Sequence, residues 1–175
     1  MHTKEVERKI ADAASNIGLS SHEDQYLTFM LNGEEYGVDI LRVQEIKGWD
    51  RATFIPNSPS YMQGVINLRG AIVPVIDLRQ RFGMSNLEYG PTTVIIVLRV
   101  KNEDRERIMG IVVDAVSDVY SIPVSAFRPA PNNGDRTVME AVRSLATVDE
   151  KMVILLDVDR LLNVEELAVV DKIAV

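Results

Sequence analysis

Three aspartates each follow an apolar run, and they are the residues best placed to do chemistry. Asp77 ends VPVID, Asp114 ends GIVVD and Asp157 ends VILLD. Strand-end aspartates of this kind are typical of the acidic pocket of a phosphate-accepting α/β domain. That fold requires long amphipathic helices between its strands, and the spacers here are mostly too short or carry the wrong pattern. We therefore assign the three aspartates to turns or ion pairs rather than to a phosphoacceptor or metal site.

Other catalytic equipment is scarce in the sequence. The two histidines, His2 and His22, both lie in the polar N-terminal stretch, away from any core in which a general base would work. Cysteine is absent, which removes thiolate chemistry, disulfides and Cys-based metal sites. Neither phosphate-binding glycine motif occurs. We predict a protein with no catalytic residues, no metal and no cofactor.

Composition narrows the classes of partner. The 175 residues carry a formal net charge of −7, which argues against nucleic acid and against an anionic membrane surface as partners. No apolar run approaches the roughly 20 residues of a membrane span, and the N-terminus lacks the apolar core of a signal peptide. With 46% hydrophobic residues, the chain can form one domain, or two small ones that share a core. These features predict a soluble cytoplasmic protein without direct membrane insertion.

Turn signals divide the chain into many short β segments. Asn32-Gly33 separates two alternating runs and predicts a hairpin. TTVIIVLRV and RIMGIVVDAV are separated by a spacer too short for a parallel crossover, so they should pair antiparallel. Residues 41–56 indicate a helical turn or bend that leads into a third strand, and Ser58-Pro59 predicts the start of a short helix. Regular turns and few helices favour a closed antiparallel barrel or a pair of barrels.

The two ends of the chain differ from its middle. We interpret residues 1–24 as a polar N-terminal tail that is weakly helical at best. The sequence does not decide whether this tail is mobile. At the other end, Asn163 with Glu166 predicts the cap of a closing helix, along which Val164, Leu167, Val170 and Ile173 share one face.

Arg69-Gly70 interrupts the apolar stretch INLRGAIVPVIDL at residues 66–78. One interpretation is a bend in which Gly70 supplies a special backbone angle and Arg69 points to water. The other is a recognition group, because a guanidinium on an apolar rim forks onto carboxylates and is enriched among interface hot spots. Glu45 could hold Arg69 in place, although the sequence does not show that the two meet.

A family resemblance supports the second interpretation. EEYGVDILRVQEIKG, followed by IPNSPSYMQGVINLRGAIVPVIDLRQRFG, strongly resembles the CheW family, the adaptors of bacterial chemotaxis. GIVVDAVSDV, FRPAP and MVILLDVDRLLN continue the likeness in the same order, over about residues 25–170. The resemblance implies a mostly β fold of two packed five-stranded, SH3-like β-barrels with short helices and a C-terminal helix. It makes residues 25–175 the CheW-like domain, built of two barrel subdomains.

The resemblance also implies partners and site residues. The family bridges the regulatory domain of the CheA histidine kinase and the cytoplasmic tip of methyl-accepting chemotaxis receptors, and is recruited to receptor arrays at the membrane without catalysing a reaction. Implied receptor-binding positions are Val43, Arg69, Val94, Gly110 and Val116. Implied kinase-binding positions are Glu45, Lys47, Gly64 and Gly70. For any single valine, core packing is the favoured interpretation, and the glycines could equally serve the backbone. An adaptor for another receptor–kinase pathway would look the same.

Overall fold

A computed structural model describes residues 2–15, 24–85, 88–103, 105–130 and 136–163. The strands are β1 (Asp24–Leu31), β2 (Glu34–Asp39), β3 (Val43–Gly48), β4 (Met62–Leu68), β5 (Ala71–Asp77), β6 (Val94–Asn102), β7 (Arg105–Val113), β8 (Ala115–Ile122), β9 (Phe127–Arg128), β10 (Val142–Val148) and β11 (Lys151–Leu156). The helices are α1 (His2–Ser15), α2 (Leu78–Arg81), α3 (Arg136–Ala141) and α4 (Val158–Leu162), with 3-10 turns at Ile40–Arg42 and Val124–Ala126.

The strands form two curled sheets. The terminal sheet has the order β8-β1-β2-β11-β10-β9, and the central sheet has the order β3-β6-β7-β5-β4. Most neighbours are antiparallel, but β2 pairs with β11 and β5 pairs with β7 in parallel. The predicted mostly β, two-barrel fold is confirmed. The terminal sheet has six strands where five were expected, because the two-residue β9 adds a short sixth strand at its edge.

Two of the predicted strand pairs are present. Asn32 (φ 50°) and Gly33 (φ 83°) form the turn of the β1–β2 hairpin, where positive φ at both central residues suits the strand twist. β6 and β7 pair antiparallel over their whole length, from Val94 opposite Val113 to Asn102 opposite Arg105. Both predictions relied on local turn chemistry or spacer length, which the sequence displays directly.

One large core joins the two sheets, and each barrel has a smaller core of its own. Strand β6 shows the division: Ile96 and Leu98 belong to the shared core, whereas Ile95 and Val97 belong to the interior of the central barrel. Successive side chains of a strand point to opposite faces, so a strand buried on both faces is apolar throughout. This is why VIIVL carries no polar residue.

Two local predictions differ from the structure. The segment after Ser58-Pro59 is a turn, closed by the Met62 amide donating to the Pro59 carbonyl over 2.9 Å, and β4 follows at once. The helical turn or bend expected within residues 41–56 is confined to the start of that stretch, at Ile40–Arg42, where Asp39 Oδ1 accepts from the Leu41 amide at 2.9 Å, and Val43–Gly48 form β3. Helix α3 and strand β10 were not predicted. The expected closing helix lies outside the described residues, beyond Asn163.

The N-terminal segment contains a helix, α1, where the sequence indicated weak helical tendency at best. Val6 and Ile10, one turn apart, are 0% and 9% exposed and belong to the shared core. The division of the chain at residue 25 and the mobility of residues 1–24 remain predictions. No helix in the described part of the chain is long and apolar enough to cross a membrane.

Candidate partner-binding site

Arg69 and Gly70 form the two-residue tip of the β4–β5 hairpin. Their φ angles are 51° and 90°, so both central residues are left-handed, as the tight turns of twisted hairpins require. The Gly70 amide donates to Asn67 Oδ1 at 2.8 Å and fixes the turn. A side chain at positive φ is uncommon and carries strain. The hairpin therefore explains the glycine but does not by itself call for an arginine.

The arginine side chain meets Glu45, which lies on β3. Arg69 Nη2 lies 2.5 Å from Glu45 Oε2, and Nη1 lies 3.4 Å from Oε1, so the guanidinium forks onto the carboxylate. The hydrogen bond to Glu45, together with its charge, raises the pKa of Arg69. The Arg69 side chain is nevertheless 68% exposed. The structure thus answers the question that the sequence left open: the two residues pair, and the arginine remains accessible.

A groove of about 610 Å³ runs beside this pair. It lies between α1, the 3-10 turn, β3 and the hairpin tip. Its apolar lining combines two exposed residues, Ala11 and Leu41, with five largely buried ones: Ile10, Ile40, Val43, Ile46 and Leu68. Its charged lining consists of Glu7, Glu45, Lys47, Arg69 and Arg99. An apolar floor with a charged rim is the form that fits a helix presenting an apolar stripe.

A partly buried ion pair holds in place the 3-10 turn that lines the groove. Arg42 donates from Nη1 and Nη2 to the two carboxylate oxygens of Asp159, at 2.8 and 2.5 Å, and from Nη1 to the Arg99 carbonyl at 2.9 Å. Burial raises the pKa of Asp159, but the hydrogen bonds from Arg42 and the Lys101 amide outweigh burial and lower it overall. These contacts join the 3-10 turn to β6 of the central sheet and to α4.

The positions implied for the receptor do not form one exposed patch. Val43 lines the groove, with Arg69, while Val94 and Val116 lie in the shared core and are 5% and 9% exposed. A Cβ at Gly110 would lie 2.7 Å from Ile95 Cγ2, so that glycine is required by packing inside the central barrel. Packing alone accounts for the three residues outside the groove.

The positions implied for the kinase divide in the same way. Glu45 and Lys47 line the groove, on the same strand as Val43. Gly64 has φ +135°, and a Cβ there would lie 2.0 Å from the Thr53 carbonyl oxygen. Gly70 is set by the hairpin turn, with open space around it. The structure therefore brings Val43, Glu45, Lys47 and Arg69 together and gives Gly64 a backbone role.

The strand-end aspartates are engaged in internal contacts. Asp77 is fully buried; its Oδ1 accepts from Arg79 Nε at 3.0 Å and its Oδ2 from Arg79 Nη2 at 2.9 Å. The Tyr89 hydroxyl donates to Asp77 Oδ2 at 2.8 Å, and Arg79 Nη1 donates to Asp114 Oδ1 at 3.0 Å. Burial lowers the pKa of Arg79, but its two carboxylate partners outweigh burial and raise it overall.

The remaining contacts complete the assignment to turns and ion pairs. Asp114 Oδ2 accepts from the Asn32 amide at 2.8 Å, which ties the β1–β2 turn to the end of β7. Asp157 caps α4 by accepting from the Arg160 amide at 3.0 Å. The prediction that these aspartates serve turns and ion pairs is confirmed. Within the described ranges, no group of three acidic or histidine side chains could hold a metal ion.

Sequence reasoning missed part of the groove. Glu7, Ile10 and Ala11 of α1 line it, as do Leu41 and Arg99. The spacing of Val6 and Ile10 is helical, and it was the available signal for α1. For Arg99 the sequence holds no signal, since a charged residue on a strand is ordinarily solvated.

Comparisons with known proteins agree with this fold. The family model of the CheW-like domain matches residues 25–166. The chemotaxis protein CheW of Klebsiella aerogenes is 47% identical over 150 residues, covering 86% of this chain and 88% of that protein. A probable chemotaxis protein CheW of Rhizobium etli is 36% identical over 148 residues, covering 85% and 93%. The crystal structure of the scaffolding protein TtCheW from Thermoanaerobacter tengcongensis matches with a TM-score of 0.73 and 33% identity, covering 82% of this chain and 95% of that one.

Proposed function

The chain belongs to the family of CheW-like domains, and from this premise we propose that it is a non-catalytic adaptor that couples methyl-accepting chemotaxis receptors to the CheA histidine kinase. The observation that carries the proposal is the exposed, Glu45-paired Arg69 on the rim of an apolar groove. In this proposal the protein acts in the cytoplasm, and binding to receptors and kinase recruits it to receptor arrays at the membrane.

The groove is suited to the helical tip of a receptor. Apolar side chains of the receptor helix pack onto Val43 and its apolar neighbours, and the rim charges fix the helix in register. Arg69 contributes a planar, weakly hydrated cation that can fork onto a carboxylate of the partner. Val94, Gly110 and Val116 contribute indirectly, since they pack the strands that hold the groove in shape.

The kinase surface adjoins the groove. Glu45 and Lys47 offer opposite charges on β3, and Gly64 and Gly70 shape the β4–β5 hairpin beside them. Glu45 lies on the kinase surface and pairs with Arg69 on the receptor surface. A shift of either side chain on partner binding therefore alters the position of the other. Coupling of this kind requires contacts whose free energy differs between the active and inactive states of the kinase.

The test is a reconstitution. The chain is mixed with cognate CheA and receptor-bearing membranes, and ATP-dependent kinase phosphorylation is followed with each component omitted in turn. We expect strong activation that requires all three components and is lost in Arg69→Ala with the fold intact. A well-folded chain that activates nothing would refute coupling to CheA and direct the search to another receptor–kinase pathway.

A second assay separates the adaptor from a phosphoacceptor. The chain is incubated with Mg²⁺ and a small phosphodonor, and acid-labile phosphate is sought by mass spectrometry. We expect none on any of the three aspartates, because Asp77 is buried and ion-paired, Asp114 accepts from Arg79 and from the Asn32 amide, and Asp157 caps α4. A stable acyl phosphate on any of the three would contradict the non-catalytic proposal.

A further inference from the structure

Helix α1 lies across the seam between the two sheets. It packs against β8, the edge strand of the terminal sheet, and against β3, the edge strand of the central sheet. Val6 and Ile10 anchor it in the core that the two sheets share. A helix that covers two strand edges shields backbone groups that would otherwise be open to pairing. The contacts with β8 and β3 therefore hold α1 beside the groove, which β3 also lines.

An ion pair sets the rotation of α1 about its own axis. Lys9 Nζ lies 2.5 Å from Asp118 Oδ1 on β8, and both side chains are about one-third exposed, at 34% and 32%. The hydrogen bond to Asp118 raises the pKa of Lys9. With Val6 and Ile10 directed into the core and Lys9 held on β8, the helix has one orientation, and it brings Glu7 and Ala11 to the groove.

The groove is electrostatically two-sided as a result. The α1 side carries Glu7, whereas the rest of the lining carries Lys47 and Glu45 on β3, Arg69 at the hairpin tip and Arg99 on β6. Because Glu45 is paired with Arg69, Lys47 and Arg99 leave that side with a net positive charge. The apolar lining between them receives Ile10 from α1 and Val43 from β3. The charges of a bound helix would complement those of the groove if carboxylates flank its apolar stripe on the side facing β3 and a cation flanks it on the side facing α1.

We propose that α1 is one wall of the receptor-binding groove and directly contacts the receptor's helical tip through Ala11 and Glu7. This inference rests on the proposed function and deepens it, because it adds a segment outside residues 25–166 to the binding surface. The occupant is an amphipathic helix with an apolar ridge and acidic flanking residues, which fits the basic side of the groove.

The first test is site-specific cross-linking with the full chain. The sequence has no cysteine, so Ala11→Cys and the control Arg8→Cys each introduce a single thiol. Arg8 is exposed and does not line the groove. Each variant carries a photo-activated cross-linker and is mixed with a soluble dimeric fragment of a receptor tip. We expect cross-links from position 11 and none from position 8.

The second test is affinity. Ala11→Trp should crowd the groove and weaken binding of the receptor fragment by at least about tenfold, while Arg8→Trp stays within about twofold of the unmodified chain. Binding of the CheA regulatory domain should be unchanged in both variants, and circular dichroism should show the same fold.

The outcomes separate this inference from the proposed function. If the unmodified chain binds receptor fragment and kinase, but Ala11→Trp binds as tightly and position 11 gives no specific cross-link, α1 is not a wall and the adaptor role stands. If the unmodified chain binds neither partner, the adaptor role and the inference both fail.

Discussion

The β4–β5 hairpin carries an arginine–carboxylate pair at each end, and the two pairs have different surroundings. At the base, Arg79 is 2% exposed and is held by Asp77, which is 0% exposed. At the tip, Arg69 is 68% exposed and is held by Glu45. The base also contains Gly64, pressed against a neighbouring backbone, whereas Gly70 at the tip has open space around it.

In this comparison burial, rather than residue type, separates an arginine that holds the fold together from one that stays accessible for the proposed partner contact. A buried guanidinium whose donors are directed at internal acceptors holds the fold together, and removing one partner leaves an uncompensated charge. An exposed pair contributes little to folding because water screens it. The tip therefore retains an arginine at a strained turn position without a matching gain in stability, which is why we place the partner contact there.

The largest expected effect is at the base. Arg79→Ala leaves Asp77 buried without its cation, and we expect the free energy of unfolding to fall by about 3–5 kcal/mol. Urea denaturation followed by circular dichroism measures this, with Arg69→Ala as the matched control at the tip. Equal midpoints for the two variants would remove the distinction between the two ends.

Gly64→Ala should be the next most damaging change. The new Cβ would clash with the Thr53 carbonyl oxygen at a backbone angle that side chains rarely adopt, and we expect a loss of about 2 kcal/mol or more. Gly70→Ala, with only the backbone angle against it, should lose about 1 kcal/mol. Thermal unfolding of both variants compares them. A larger loss at Gly70 would reverse the roles that we assign to the two glycines.

Tyr89→Phe should have a smaller effect that depends on pH. The lost hydrogen bond to Asp77 should cost about 1 kcal/mol or less at neutral pH, since Tyr89 is partly exposed. Burial and Asp77 raise the pKa of Tyr89 to about 12, from 10.0. The folded chain therefore keeps a proton that the unfolded chain loses, so this contribution is complete below pH 10 and is lost as pH rises through 12. Denaturation midpoints across that range should fall less steeply in Tyr89→Phe, and an identical slope would contradict the assignment.

Arg69→Ala and Glu45→Gln should have the smallest effect on folding. Each removes one side of an exposed pair, so we expect denaturation midpoints equal to that of the unmodified chain. Arg69→Ala should nevertheless abolish kinase activation in the reconstitution. Loss of kinase activation with unchanged stability would sharpen the contrast between tip and base. An unfolded Arg69→Ala variant would show instead that the pair at the tip stabilises the fold, as the pair at the base does.

Local signals explain which parts of the fold the sequence could predict. Asn32-Gly33 and the short spacer between β6 and β7 specify hairpins within a few residues, and the structure contains both. The pairing of Arg69 with Glu45 links residues 24 positions apart and depends on the packing of β3 beside the hairpin tip. No local pattern encodes such a contact.

The groove was only partly predictable for the same reason. Val43, Glu45, Lys47 and Arg69 were implied by family resemblance, and the structure brings them to one place. The α1 wall was missed because α1 is mostly polar, and the two buried residues among its described side chains, Val6 and Ile10, give a weak periodic signal. Its place beside the groove depends on tertiary contacts with β8 and β3.

The order of strands along the chain has a consequence for biosynthesis. All five strands of the central sheet lie in one continuous stretch, from β3 to β7, whereas the terminal sheet combines β1 and β2 with strands made much later. On the ribosome the central barrel can close once β7 has emerged, while the free edge of β2 waits for β11, where Glu35 finds its partner Val153. Translation that stops before β11 therefore releases a chain with an open strand edge, which is a template for aggregation. Completing the last strand closes that edge, so the finished adaptor is protected in a way that its nascent form is not.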